Sequence, residues 1–482
     1  MKRILNFIVL LGCCVLGHSQ NFKLEEGFEI NKISNCEINS DFFTVIGTEN
    51  SRIDKYEYRV YSLKDTVTEY LTKFDSEVFQ DLELYHKTQN HLVLIFSAKK
   101  KTNRFKNKPS YSATEKDYSL VSINLNDKRM QVEKLDVEKP DKKFSGDDFS
   151  CFMYLENNEI KTITIKDVNL KKESKISLPK EIYKKHKGLE ISSLKVVSNK
   201  TYLESIGIPE NRIFYDSNNI YLNYLFPKKR VSLILKLQRV EDNFVWLGYH
   251  ELEFGFAKKT KDYNAFIARD YYYFLVENKK QVMFRILDLE KSVSREYMLN
   301  DLADLGKINS DVFNKVVRGV NFLSNVPSLV VHKEKNNDNA IVSISYISKE
   351  TNYNDGFMFH QQMFQQQMMR QQQMMMQNIR VPSVGGFKMV SIPRLGDEVR
   401  KEDKTLKFIV QPNQGIVDYN DEKTALENYD PEKDYKYVSK ILKQKIKGKL
   451  EYFSFVRLKE NEKFYHVFYD KKNDKIVFGT NY

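Results

Sequence analysis

The segment DYYYFLVENKKQVMFRILDLEKS (Asp270–Ser292) decides how the rest of the chain is read. Tyr271 to Val276 form an unbroken aromatic and aliphatic run, too short for an ordinary helix and rich in residue types that favour strands. Asn278-Lys279-Lys280-Gln281 is a polar turn. Val282 to Leu289 then returns as an alternating apolar strand that stops at a second polar turn, Glu290-Lys291-Ser292. Two such strands around a short polar turn predict an antiparallel hairpin.

Working outward, the same unit recurs. DFFTVIG from Asp41 is followed by YEYRVYSL from Tyr56, and HLVLIFSA from His91 by YSLVSINL from Tyr118. FSCFMYLE from Phe149 precedes IKTITIKDV from Ile160, and IYLNYLF from Ile220 precedes VSLILKLQRV from Val231. PSLVVHKE from Pro327 precedes AIVSISYI from Ala340. Several units close on Asn, Asp and Lys turns, as in SLKDT at Ser62 and NLNDKR at Asn124. A single hairpin cannot bury its apolar face alone, so successive units at a spacing of roughly 50–60 residues must pack on one another. The expected fold is mainly β, built of repeated antiparallel hairpins in a β-propeller-like architecture of about six units. Tandem β-sandwiches are the alternative. No WD dipeptide, kelch double glycine or aspartate box marks the units.

Two regions break the pattern. Leu302 to Asn321 carries a helical signal, with Ser310 as the expected cap. Near the carboxyl end, Asp430-Pro431-Glu432 opens and Gly448 stops a second helix, with Val438, Ile441, Leu442 and Ile446 on one face. Three aromatic-rich strands follow between Leu450 and Phe478, either as part of a small α+β cap or as a final blade. The expected organisation is therefore a signal peptide over 1–19, a β-repeat domain over 20–425 and a C-terminal helix and β-meander over 426–482.

Met1-Lys2-Arg3, the apolar run ILNFIVLLGCCVLG, and the small residues Gly17 and Ser19 describe a secretory signal peptide, with cleavage expected between Ser19 and Gln20. A lipoprotein anchored at Cys13, from the run Leu10-Leu11-Gly12-Cys13, is the alternative; the residues after Cys13 stay apolar, which disfavours it. The run is shorter than the roughly 20 residues a membrane span needs, and no later segment reads as one. The expected location is periplasmic or extracellular. There Cys36 and Cys151, the cysteines outside the signal, could form a disulfide.

The formal charge of +12 falls by two, for Lys2 and Arg3, to +10 without the signal. Outside the cytoplasm that excess points to a protein partner or an anionic envelope polymer rather than to nucleic acid. The densest basic run is KKKTNRFKNK. Its Lys99, Lys100, Lys101, Arg104, Lys106 and Lys108 make a candidate anion-binding patch, with Phe105 beside them; the plainer reading is a solvated hairpin tip.

The motif inventory selects no reaction. There is no GxSxG elbow, HExxH helix, phosphate loop or dinucleotide fingerprint, so no catalytic residue and no cofactor are assigned. His86 and His91 flank a turn and read as a surface pair. Asp147-Asp148 and Asp397-Glu398 are adjacent acids, and Tyr271, Tyr272 and Tyr273 leave aromatic platforms, so an extracellular glycan-binding or glycan-processing protein is an alternative function.

MFHQQMFQQQMMRQQQMMMQN (Met358–Asn378) stands apart in composition. Its thioethers and imidazole, at Met358, His360, Met363, Met368, Met369, Met374 and Met376, are soft ligands of the kind copper(I) takes. Yet the methionines fit neither a helical stripe nor strand alternation, and Gln triplets separate them. A low-complexity Met- and Gln-rich insertion over 351–385, thrown out from one β-unit, is the expectation. The function expected is that of an exported, non-enzymatic interaction or structural component of the cell envelope, with copper binding through the insertion as a further alternative.

Overall fold

In the computed structural model, residues 20–481 are described except for a few turn positions and the stretches 104–109, 199–210, 254–259, 319–324, 334–338, 349–404 and 420–450. The Asp270–Ser292 segment is a hairpin, as predicted: Tyr271–Glu277 pairs antiparallel with Val282–Asp288, Tyr273 opposite Ile286. Asp262–Ala268 and Val293–Met298 flank it to complete a four-stranded sheet.

Among the described residues, seven such sheets follow one another along the chain. Sheet 1 takes residues 29–76, sheet 2 79–135, sheet 3 142–177, sheet 4 195–253, sheet 5 262–298 and sheet 6 325–418. Sheet 7 is assembled from both ends of the chain: Glu451–Leu458, Lys463–Asp470 and Lys475–Asn481 form a meander, and Gln20–Lys23 adds beside its last strand, Asn21 opposite Val477. The count is thus seven where six had been expected. The seventh escapes a scan for repeats because its fourth strand lies more than 400 residues from the other three. The three-stranded meander completes a blade.

Sheet 4 carries an extra strand, Lys195–Ser198, parallel to Arg212–Tyr215. Sheets 1 to 6 otherwise run their strands in sequence order, so their first–second and third–fourth turns lie at one end, here the lower. The second–third turn and the link to the next sheet lie at the other, upper end.

Apolar clusters join sheet 7 to 1, 1 to 2, 2 to 3, 3 to 4, and sheets 4, 5 and 6 in one continuous core. Covering on both faces explains why the central strands are continuous apolar runs, not half-polar ones: Leu92, Val93, Leu94, Ile95 and Phe96 are all fully buried. The same holds for the tyrosine run. Tyr272 and Tyr273, pointing to opposite faces, are both buried. The Tyr272 hydroxyl lies 2.7 Å from Ser232 Oγ of sheet 4, and the Tyr273 ring stacks on Phe284 within sheet 5. Sheets 1 to 5 each pack on both their neighbours, an arrangement that is propeller-like and not that of paired sandwiches. The fourth strands are the exposed ones, as in Val293–Met298 and Leu170–Ser177.

The helical segment after sheet 5 is present but broken, as Leu299–Asp304, then Ser310–Phe313 running into a wider turn over Asn314–Arg318. Its second part is capped by Asn309, not Ser310, because the Asn309 Oδ1 accepts from the Val312 amide at 3.0 Å. Among the described residues no helix is long and apolar enough to cross a membrane. The expected helix at 430–448 and the signal segment lie outside the described residues.

Candidate functional site

Among the described residues, chemistry-bearing side chains gather at two kinds of boundary between sheets, and also within sheet 1, where Arg59 and Lys73 pair with the buried Glu57. The first is the lower end. There the turn before each second strand carries Asp or Asn, because these side chains cap tight turns through local hydrogen bonds: Asp41, Asn90, Asp148, Asn218 and Asp270. Asp216 shows the local role, accepting from the Asn218 and Asn219 amides at 2.7 Å. Several of these acids also reach the neighbouring sheet. Lys87 of sheet 2 pairs with Asp41 of sheet 1, His91 of sheet 2 with Asp167 of sheet 3, and Lys166 of sheet 3 with Asp242 of sheet 4 at 3.0 Å. Ser217 of sheet 4 donates to Asp147 at 2.9 Å, and Lys236 and Tyr221 of sheet 4 meet Asp270 of sheet 5.

Arg239 and Asp148 form the strongest link. The guanidinium donates two parallel bonds to the carboxylate, at 2.7 and 3.1 Å, and a third to Asp242, while lying 4.3 Å over the Phe149 ring. Burial pushes the Asp148 pKa up, but Arg239 and then Lys166 outweigh it, so the carboxyl stays below its ordinary value. The ring beneath is fixed in turn by Gly146, where an added Cβ would come within 2.2 Å of Phe149.

Beside this link lies a serine–histidine pair. His86 is fully buried, so it is not half of a surface pair. Its Nε2–H donates to the Lys166 carbonyl at 3.0 Å, which leaves Nδ1 to accept from Ser150 Oγ at 2.8 Å. Ser145 lies 2.9 Å from the same hydroxyl. The distances are those of a nucleophile and its base. Ser150 is fully buried too, however, in the boundary between sheets 2 and 3, and no substrate atom can approach it. Burial lowers the His86 pKa to about 4, so the imidazole is neutral at neutral pH and serves as a hydrogen-bonding strut.

The second place is where the first strands of neighbouring sheets lie against one another. Lys32 of sheet 1 and Lys99 of sheet 2 both pair with Asp81 of sheet 2, and Lys143 of sheet 3 pairs with Glu83 at 2.9 Å. For both carboxylates burial acts upwards, and their lysine and serine partners hold the pKa below normal. Further round, the fully buried Arg212 of sheet 4 donates to the Ala265 carbonyl of sheet 5 at 2.9 Å, and Asn264 of sheet 5 to the Pro327 carbonyl of sheet 6 at 2.7 Å.

Of the candidates drawn from sequence, Lys99 is committed to Asp81. Lys100 and Lys101 extend the hairpin past Ser112 and Tyr111, so the basic run sits on a long second–third hairpin of sheet 2; Arg104, Lys106 and Lys108 lie outside the described residues. Cys36, between sheets 1 and 2, and Cys151, between sheets 3 and 4, are both free thiols, so the expected disulfide is corrected: each is fully buried in a different core cluster. The Met and His candidates from Met358 to Met376, and Asp397-Glu398, lie outside the described residues. Among those described, no group of three metal-ligating side chains occurs. Sequence reading missed the Arg239–Asp148 link, because a basic residue at the end of one strand names no partner 91 positions away. The one available signal was the recurrence of Asp or Asn just before each second strand.

No protein-family profile matches the chain, and no curated protein sequence does. Among solved structures it is similar to an apocarotenoid oxygenase from Synechocystis, with 7% identity over 57% of this chain and 63% of that one, at a TM-score of 0.29. It is similar also to dipeptidyl peptidase 4 from Porphyromonas gingivalis, with 9% identity over 66% of this chain and 55% of that one, TM-score 0.27. A GH43_1 enzyme from Xanthomonas citri shares 9% identity over 58% of this chain and 89% of its own, TM-score 0.20. The chain spans less than two thirds of the oxygenase's length. Likenesses this distant carry no argument about activity.

Proposed function

We propose that the protein is an exported, non-enzymatic scaffold that holds a partner at the cell envelope or outside the cell, the partner being another protein or an anionic envelope polymer. One observation carries this reading: among the described residues, the ionised and nucleophilic groups that converge at sheet boundaries are consumed there. Asp148, Asp81, Glu83 and Asp242 each face Lys or Arg, and the Ser150–His86 pair is buried. Such groups join sheets. What remains outward are the turns and the fourth strands, which are the parts of a repeat fold that vary without disturbing its core.

Export is supported by the composition of residues 1–19. The expected cleavage point falls immediately before Gln20, the first residue of the strand that completes sheet 7, so processing would leave every described strand in place. The test is capture from envelope extract with the mature chain as bait. A stoichiometric partner, retained through washing and lost on prior heat unfolding of the bait, is the expected result; its absence from both protein and polymer fractions counts against the proposal.

A further inference from the structure

The upper end of sheet 4 brings two basic segments together that the sequence keeps apart. The link from sheet 3 contains the short helix Lys180–Lys185, with Lys180, Lys184 and Lys185 exposed. Across from it is the second–third turn of sheet 4, Pro227-Lys228-Lys229-Arg230, exposed throughout. Contact between them is direct. Lys229 Nζ donates to the Lys185 carbonyl, and its ammonium also lies 5.8 Å over the Phe226 ring. His186, just past the helix, stacks on that same ring at 4.8 Å.

The acids nearby do not balance the cluster. Glu251 accepts from Lys185 at 2.7 Å and meets His186 at 3.2 Å, Glu253 on the same strand also acts on Lys185, and Glu181 is on the helix itself; these three carboxylates face Lys180, Lys184, Lys185, Lys228, Lys229 and Arg230. Lys184 and Lys228 have no ion-pair partner among the described residues. Like charges this close repel, and an anion bound from solution relieves that repulsion. Beside the lysines, on the same strand as Glu251, the ring of Tyr249 is 45% exposed and within electrostatic reach of Lys185.

We infer that this surface, formed by Lys184, Lys185, Lys228, Lys229 and Arg230 with Tyr249 at its margin, binds a linear anionic polysaccharide. The inference rests on the scaffold reading above and names its partner class. Ammonium groups spread over two segments suit charges spaced along a polymer, and one exposed aromatic ring suits the face of a sugar. A membrane would call for several apolar side chains, and Val245 and Leu247 are exposed on the Tyr249 strand, so a vesicle probe is the arm that separates the two. Sequential base stacking would call for a row of open rings; Phe226 is already covered by His186 and overlaid by Lys229.

Fluorescein-labelled heparin, titrated into the mature chain at physiological salt, tests it. A (dT)20 oligonucleotide and phosphatidylglycerol vesicles are the competing probes. The wild type is expected to bind heparin more tightly than either. K184E/K228E is expected to weaken binding at least tenfold and flatten its salt dependence. R129E/K175E, with the same change in net charge at exposed positions elsewhere, is expected to bind within twofold of wild type. Melting curves establish that both variants fold. Equal losses in the two variants, tighter binding of oligonucleotide or vesicles, or no heparin binding at all would overturn the assignment. The scaffold reading is tested separately, by the capture of a partner.

Discussion

His86 shows at the scale of one residue how position overrides composition. From its sequence neighbours, a polar turn on one side and Tyr85 on the other, it reads as a surface imidazole. In the fold it is fully buried with Ser150, the Lys166 carbonyl, Asp148, Asp167 and Arg239 around it. Burial depresses its pKa to about 4 against an ordinary value near 6.5 in the unfolded chain. The unfolded state therefore binds the extra proton first. Stability contributed by neutral His86 is complete above about pH 6.5 and falls towards pH 4, by about 1.4 kcal/mol per unit at most. Urea titrations at pH 7.5 and 5.0 should show this loss in the wild type. H86Q, which keeps a donor and an acceptor but no titrating group, should lose markedly less between the same two pH values. An equal loss in both would place the acid sensitivity elsewhere.

At the scale of elements, the central hairpins were legible because their burial is written into contiguous apolar letters. All six hairpins read from the sequence are paired as expected, from Phe42 opposite Leu63 in sheet 1 to Val331 opposite Val342 in sheet 6. Bonds between elements were not legible, since a charge on one strand carries no record of the sheet beside it. Arg239 and Asp148 are the test of what such bonds contribute. R239Q and D148N each leave a partly buried partner uncompensated, and each is expected to cost about 1–3 kcal/mol, discounted for the partial exposure of Asp148. The double variant should cost less than the sum, with a coupling of about 1 kcal/mol or more in denaturant unfolding. Strict additivity would show the link to be idle.

A second expectation at this scale concerns the Met- and Gln-rich insertion. The strands on either side of it, Ala340–Ser348 and Leu406–Gln411, pair directly, Ile344 opposite Leu406. Sheet 6 therefore needs only a short turn between its second and third strands, and extra loop length is cheap to carry. Replacing residues 349–404 by an Asn-Gly turn should leave the melting temperature within a few degrees of wild type. A fall of 10 °C or more would mean that the insertion packs on the fold.

For the whole molecule, the architecture was legible in kind but not in number. Weak repeats of strand and polar turn pointed to sheets packed in series, and sheets packed in series are what the fold contains. The seventh sheet was hidden because it is made of two pieces from opposite ends of the chain. That shared sheet joins the two ends of the chain: with Phe22 against Tyr61 of sheet 1 and Phe478 of sheet 7, the N-terminal strand ties sheet 7 to sheet 1. The basic surface at the upper end of sheet 4 had the same difficulty, since Lys185 and Lys229 become neighbours only when the link and the turn fold together.

Closure by the N-terminal strand is the central claim. The most direct test is a cross-link between Asn21 and Val477, which face each other across the last two strands of sheet 7. Cys36 and Cys151 do not compete, because both thiols are fully buried and burial raises their pKa values. N21C/V477C, oxidised under native conditions, should form an intramolecular disulfide in nearly every molecule, visible as a mobility shift that reductant reverses. The same oxidation in 8 M urea should not give it efficiently. Failure to cross-link in the folded protein, with those cysteines reactive to a thiol reagent, would show that the two ends of the chain do not share a sheet.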